Sequence, residues 1–201
     1  MSFRRAYRRL RFGAPVVVVS GLPRSGTSMA MRMLEAGGMA LVMDGVRAPD
    51  EDNPRGYFED ERVKDLARVA DKTWLAGAQG KAIKIISSLL EQLPGNHNYL
   101  VLFMNRDLHE VLASQGRMLE RRKETSDVSD ARMLENFERH LVRVKAMLRT
   151  RPCFELCEIE YREVVENPRQ AAERIRAFLG GGLDLEAMVG AVDPSLYRNR
   201  R

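Results

Sequence analysis

Between residues 20 and 28 the chain reads SGLPRSGTS. Gly21 and Gly26 bracket one arginine, Arg24, and the hydroxyls of Ser25, Thr27 and Ser28 stand beside it. Glycines allow successive backbone N–H groups to turn toward one point, and such a concavity binds anions. Arg24 adds a planar fork suited to a phosphate or sulfate edge, and the hydroxyls add neutral donors. Four valines, residues 16–19, precede the loop, and a stretch rich in Met and Ala follows it as far as Gly37 and Gly38. Strand, glycine loop and helix in that order set the positive end of a helix dipole against the bound group. The spacing from Gly21 to Ser28 is that of GxxxxGK[ST] at every position but one, because Thr27 stands where nucleoside triphosphate chemistry uses lysine. The loop is therefore built for a phosphate-like group without the cation that reaches the outer phosphates of ATP.

Other candidate residues fall at the ends of apolar runs. Lys84 lies inside AIKII, residues 82–86, as a cation aimed at the site or as a lysine snorkelling from a sheet edge. The strongest strand signal, YLVLFM at 99–104, runs directly into Asn105, Arg106 and Asp107. Ser114 lies eight residues beyond Arg106, about two turns into the helix that follows. Arg106 either takes an anion with Ser114 or pairs with Asp107 or Glu110. Tyr161 follows an apolar strand over 153–159. Residues 44–58 carry two prolines and two glycines without periodicity and form a long loop, the kind that often carries function. Glu59, Asp60 and Glu61 then open a helix with Val63, Leu66, Ala67 and Ala70 on one face.

These runs alternate with helical patterns at about 26–36, 108–123, 131–149 and from Pro168 to Gly180. Short apolar strands alternating with helices predict an α/β fold, a three-layer sandwich with a central parallel sheet of the P-loop NTPase-like kind. In such a sheet the loops at the strand C-termini form the binding crevice, so the glycine loop, Lys84, Arg106 and Tyr161 are expected to converge. A basic arm over 1–13 with Arg4, Arg5, Arg8, Arg9 and Arg11 precedes a single domain over 14–201. The arm reads most simply as solvated and partly helical.

PRSGTS, residues 23–28, resembles the 5′-phosphosulfate loop of sulfotransferases that use 3′-phosphoadenosine 5′-phosphosulfate (PAPS) as donor, a loop usually written P-[KR]-S-G-T-[ST]. Arg106 and Ser114 match the R-x7-S element that holds the 3′-phosphate in that family. EIEYREVVENP, 158–168, is similar to the segment whose Tyr contacts the adenine, here Tyr161, and the helix after it ends in the matching FLG, 178–180. DNPRGYFE, 52–59, resembles a loop of bacterial-type members. The resemblance spans about residues 15–180 and implies donor contacts from Arg24, Ser25, Gly26, Thr27, Ser28, Arg106, Ser114 and Tyr161. It also implies adenosine 3′,5′-bisphosphate as product and a reaction that uses no metal. Met29 replaces the Trp that stacks on adenine in the cytosolic branch, and Ile86 replaces the His of its K-x-H element, while Lys84 keeps the Lys. The C-terminal glycine-rich clamp of that branch is absent. Arg24, Lys84 and Glu59 are the catalytic candidates, Glu59 as general base with Asp44 behind it. His97, His109 and His140 all lie away from the family's His position.

The chain has 201 residues, 44% hydrophobic and 30% charged, with a net charge of +5. That balance fits one soluble domain with a preference for polyanionic ligands. Cys153 and Cys157 lie in one strand about 13 Å apart, too far for a disulfide, and suit a reducing compartment, hence a cytoplasmic expectation. No stretch is apolar enough for a signal-peptide core or a bilayer span. The expected partner is a small-molecule or glycan acceptor with a hydroxyl or amine; no nucleic-acid or membrane partner is clearly marked, and no signal specifies an oligomeric state. Two other functions remain compatible with the loop: a P-loop kinase or NTPase, and a non-catalytic nucleotide-binding module.

Overall fold

The valine run occupies the middle of β1 (Pro15–Gly21), where β-branched side chains suit a strand covered on both faces. The structure, a computed structural model, describes residues 3–46, 56–122, 128–193 and 195. In chain order, α1 (Phe3–Phe12) and β1 are followed by α2 (Thr27–Ala36), β2 (Leu41–Val42), α3 (Glu61–Lys64) and β3 (Ala82–Lys84). Then come β4 (Asn98–Asn105), α4 (Leu108–Arg122), α5 (Asp130–Thr150), β5 (Phe154–Glu160), α6 (Tyr161–Glu166), α7 (Pro168–Leu179) and α8 (Leu185–Gly190). Two 3₁₀ segments, Thr73–Ala78 and Ser87–Gln92, flank β3.

The five strands form one parallel sheet in the order β2-β3-β1-β4-β5. The chain runs from β1 to one side, through β2 and β3, and then crosses to the other side as β4 and β5. The order therefore reverses beside β1, and an open α/β sheet binds its ligand at such a point. Val17 and Val19 face a core layer with Met31, Met33 and Leu34 of α2, Val164 of α6 and Ile175 of α7. Val16 and Val18 face the opposite layer with Leu75, Ile83, Leu90, Phe103, and Val144 and Leu148 of α5. Tyr99 and Phe154 stack across β4 and β5 with ring centroids 5.0 Å apart. Cys153 and Cys157 are free thiols, and burial pushes both above the ordinary thiol range.

Three local expectations change. The helix opened by Glu59 is only four residues long: Asp60, not Glu59, caps it by accepting the Arg62 N–H at 3.1 Å. Val63 and Leu66 are buried while Ala67 and Ala70 are exposed, so the apolar face that would propagate the helix is incomplete. The stretch from Tyr161 to Val165, which its sequence marks only as a short turn, belongs to the helix α6, because Tyr161, Val164 and Val165 bury one face at helical spacing. The basic start is a helix pinned from beneath. Arg8, 3% exposed, bonds Glu155 at 2.7 Å, Asn98 Oδ1 at 2.6 Å, and the carbonyls of Tyr99 at 2.7 Å and Cys153 at 3.0 Å. Desolvation lowers the Arg8 pKa from its ordinary value, against the pull of Glu155. Residues 47–55, with the first half of the DNPRGYFE match, and Arg198, Arg200 and Arg201 at the end of the chain lie outside the described residues.

Removing Arg8 leaves those acceptors buried with too few donors. Arg8→Ala is expected to lower the unfolding free energy by about 3 kcal/mol. The half-exposed neighbour Arg5, which also pairs with Glu155, should lose under about 1 kcal/mol on the same change. Urea denaturation of the two variants checks this; equal small losses would mean that Arg8 does not anchor α1.

Candidate functional site

Register brings the polar strand ends to one level. Gly21, the last residue of β1, pairs with Met104 of β4, two residues before Arg106. Val19 pairs with Lys84, the last residue of β3. Asn105 pairs with Glu160, which immediately precedes Tyr161. Four strands thus deliver their C-terminal residues to the same edge of the sheet, beside the reversal in strand order.

The loop needs its glycines for space as well as for conformation. A Cβ on Gly21 would lie 2.4 Å from Ser25 Oγ and 2.6 Å from the Met104 carbonyl oxygen. A Cβ on Gly26, at φ +99°, would lie 2.3 Å from the Tyr161 ring. Arg24 is itself left-handed at φ +70°, a conformation an arginine adopts only when its surroundings enforce it. The Ser25 N–H donates to the Leu22 carbonyl at 3.1 Å and closes the turn. The Ser25 hydroxyl, 1% exposed, has no partner among the described residues. No side chain caps α2, whose N-cap is Gly26; the Met29 and Ala30 N–H groups donate to the Gly26 carbonyl at 3.0 and 3.2 Å, and Thr27 and Ser28 precede them at the loop end of the helix.

Arg106 and Ser114 both meet the loop at Arg24. Arg24 Nε donates to Ser114 Oγ at 3.0 Å, and Arg106 donates to the Arg24 carbonyl at 3.1 Å. The Arg106 guanidinium lies over the Tyr161 ring, 4.4 Å from its centroid, and that ring fills the space above Gly26. Arg106 Nε also donates to Glu110 Oε2 at 3.0 Å, a pair in which both side chains are buried. Asp107 caps α4 by accepting the Glu110 N–H at 3.0 Å. So Arg106 does make the ion pair with Glu110 that its spacing allowed, and it reaches the loop as well.

Lys84 lies on the other side of the loop. β3 is an interior strand between β2 and β1, so Lys84 does not snorkel from a sheet edge. Its ammonium is 2.7 Å from the Tyr57 carbonyl, 3.1 Å from Glu59 Oε1 and 3.4 Å from Ser28 Oγ. The side chain is 8% exposed and that of Glu59 24%, which leaves the carboxylate the wetter partner of the pair. Glu59 precedes the cap residue Asp60 and lies outside the first turn of α3. Asp44 fixes it there: the Asp44 N–H donates to the Glu59 carbonyl at 3.1 Å, and the Asp44 carboxylate accepts the N–H groups of Val46 and Glu61 at 2.9 and 2.6 Å. Those bonds, Val46 first, hold the Asp44 carboxyl below the ordinary range, so it is a poor base and a good staple.

All ten residues singled out in the sequence therefore lie in the loop or connect to it through one continuous chain of contacts. Glu59 meets Lys84, Lys84 meets Ser28, Gly26 meets Tyr161, Tyr161 meets Arg106, and Arg106 and Ser114 meet Arg24. Thr27 is mostly buried at the start of α2, and Met29 is buried in the core, where it cannot offer a stacking surface to a base. The histidines stay apart from this chain. His140, partly buried on α5, contacts the Ser87 hydroxyl at 2.9 Å, and burial lowers its pKa. Two further residues act at the site, Tyr57 without a sequence signal of its own and Glu110 as the ion-pair partner that the spacing offered Arg106. Tyr57 acts on Lys84 through a backbone carbonyl, and its ring lies 5.7 Å from the ammonium. Glu110 competes for Arg106. Among the described residues no group of His, Cys, Asp and Glu side chains could hold a metal ion.

No family model and no curated protein matches the sequence. The sulfotransferase domain from the Synechococcus PCC 7002 olefin synthase superposes with a TM-score of 0.56 at 15% identity, over 93% of this chain and 88% of that one. The sulfotransferase domain from the curacin biosynthetic pathway gives a TM-score of 0.50 at 15% identity, over 90% of this chain and 78% of that one. At this identity the likeness concerns architecture: the chain has the P-loop-like α/β fold that sulfotransferase domains have.

Proposed function

We propose that the protein is a sulfotransferase that moves a sulfuryl group from PAPS to a hydroxyl or amine of a small-molecule or glycan acceptor. One observation carries this reading: Arg106, just beyond the end of β4, and Ser114 of α4 both bond Arg24 of the glycine loop, so a second anion site adjoins the first. A loop for one phosphate-like group needs no such neighbour; a donor with anions at both its 5′ and 3′ positions does. The buried Ser25 hydroxyl and the uncapped start of α2 fit the 5′ group.

When bound, the donor supplies sulfur: the acceptor's oxygen or nitrogen bonds to it while the S–O bond to the 5′-phosphate breaks, and adenosine 3′,5′-bisphosphate leaves. Negative charge grows on the bridging oxygen, and preorganised donors stabilise it. Arg24 and the loop amides hold the 5′-phosphate. Lys84, beside Ser28, neutralises charge on the sulfonate and the leaving oxygen. Glu59 takes the acceptor's proton, and its pairing with Lys84 keeps the base beside the cation. Arg106 and Ser114 hold the 3′-phosphate. Tyr161, only 5% exposed, offers little ring to an adenine and instead supports Arg106 from beneath. Glu110 orients the guanidinium through Nε, and the Arg24 carbonyl holds it against the loop. The buried carboxylate also repels a dianion, so the 3′-phosphate site carries a built-in opposing charge.

Titration calorimetry on Arg106→Ala tests the assignment. Affinity for adenosine 3′,5′-bisphosphate should fall roughly 10- to 100-fold, the worth of a charged hydrogen bond, while affinity for adenosine 5′-phosphate changes less than about twofold. Equal losses for the two ligands would remove Arg106 from the 3′-phosphate.

A further inference from the structure

The helix α1 has two faces with opposite fates. Its inner face is committed: Arg8 is buried against β4 and β5, Arg5 pairs with Glu155 and lies over the Phe178 ring, and Phe12 packs on the core. Those contacts fix the helix's rotation. They leave Phe3, Tyr7 and Leu10, spaced i, i+4, i+7, on one stripe facing outward. Phe3 is 90% exposed, Leu10 89% and Tyr7 48%. Exposed Arg4 and Arg11 flank the stripe on one side and exposed Arg9 on the other, and the helix carries no acidic residue. Arg11 also donates to the Tyr7 hydroxyl at 3.3 Å.

We propose that this face of α1 docks the protein reversibly on an anionic lipid membrane. An interfacial helix has this layout: low overall hydrophobicity, a narrow apolar stripe that enters the acyl boundary, and basic residues alongside at headgroup level. Each arginine near an anionic surface adds to the attraction, and the apolar side chains gain by leaving water. Other occupants account for less. Nucleic acid would use the arginines and leave Phe3 and Leu10 in water. A second copy of the same face would set two arginine-flanked stripes against each other and bring like charges together.

The placement has a geometric consequence. Arg8 reaches the N-terminal ends of β4 and β5, whereas the glycine loop lies at the C-terminal end of β1 in the same parallel sheet. β4 is eight residues long, so the two ends lie roughly 25 Å apart. A protein docked through α1 holds the glycine loop away from the bilayer and open to water. The proposal rests on α1 alone and stands whether or not the chain transfers sulfuryl groups.

Co-sedimentation of the full chain with mixed phosphatidylcholine–phosphatidylglycerol vesicles, against pure phosphatidylcholine, tests it. The wild type should bind the mixed vesicles and release them as salt rises. Phe3→Ser with Leu10→Ser should lower the partition coefficient at least about tenfold, and Arg4→Gln with Arg11→Gln should lower it by roughly the same factor. All four side chains are exposed, Arg11 also lying over the Phe12 ring, so little change in urea denaturation is expected and serves as the control. Binding no stronger to the mixed than to the neutral vesicles, or undiminished in F3S/L10S, overturns the proposal. So does self-association that F3S/L10S abolishes, or duplex DNA that displaces the vesicles; either assigns the face to another partner.

Discussion

Lys84→Met lowers the rate of sulfuryl transfer by about 10³-fold and leaves the dissociation constant of adenosine 3′,5′-bisphosphate within about threefold, an effect of the size seen when one preorganised donor is removed from developing charge. Methionine keeps most of the buried stem beside Val19, the register partner of Lys84 on β1, and the ammonium is lost from beside Ser28 and Glu59. The product carries no transferred sulfonate, which is why its affinity is the control. Glu59→Gln should share the pattern with a smaller loss, roughly 10²-fold, because a positioned base contributes about that much. If the double variant is no slower than Lys84→Met alone, the two side chains act as one unit. Release of bisphosphate, with water or a screened phenol or sugar as acceptor, measures all three. Turnover within about twofold of wild type in Lys84→Met would remove Lys84 from the reacting centre.

Gly26→Ala abolishes donor binding and destabilises the fold. The new Cβ would sit 2.3 Å from the Tyr161 ring, at a φ of +99° that L side chains rarely adopt. Backbone strain alone costs about 1–2 kcal/mol. The larger effect is geometric. Tyr161 is buried and carries the Arg106 guanidinium over its ring, so a ring displaced by the methyl group moves Arg106 away from the Arg24 carbonyl. One methyl group in the 5′ loop should therefore disturb the 3′ anchor too, and affinity for the bisphosphate should fall more than about 100-fold while that for adenosine 5′-phosphate falls less. Calorimetry with both ligands, beside a urea melt, separates the two losses. An alanine variant that binds the bisphosphate normally would show that the ring and the loop are not coupled.

The loop was legible because its chemistry depends on residue types at fixed spacing. Gly21, Arg24 and Gly26 each hold a place that few other residues could fill, and the structure gives each a positive φ. The parallel sheet was legible from the valine run and YLVLFM, which are too continuously apolar for a one-sided sheet. Strand order was not: β2 is two residues long and β3 three, and their places depend on pairings with no sequence signal. The end of α3 was missed because alanines satisfy a periodic pattern without supplying enough area to bury. Arg8 was hidden among five similar arginines, although its spacing of four from Phe12 would have placed both on one face. Tyr57 acts through a carbonyl, a group every residue carries. That Arg106 would reach the glycine loop was legible from its place at the end of YLVLFM, while its i, i+4 pairing with Glu110 was only one of the arrangements the spacing allowed.

Thermal unfolding of the wild-type chain with adenosine 3′,5′-bisphosphate, adenosine 5′-phosphate and Mg-ATP in parallel tests the central claim most directly. A ligand at about one hundred times its dissociation constant adds about 2.7 kcal/mol to the folded state. The account predicts selective stabilisation by the bisphosphate, a smaller shift with the 5′-phosphate, and no gain from magnesium. Stabilisation by Mg-ATP with none from the bisphosphate would contradict it, and would make the contacts of Arg106 and Ser114 with Arg24 part of the scaffold of a different nucleotide site.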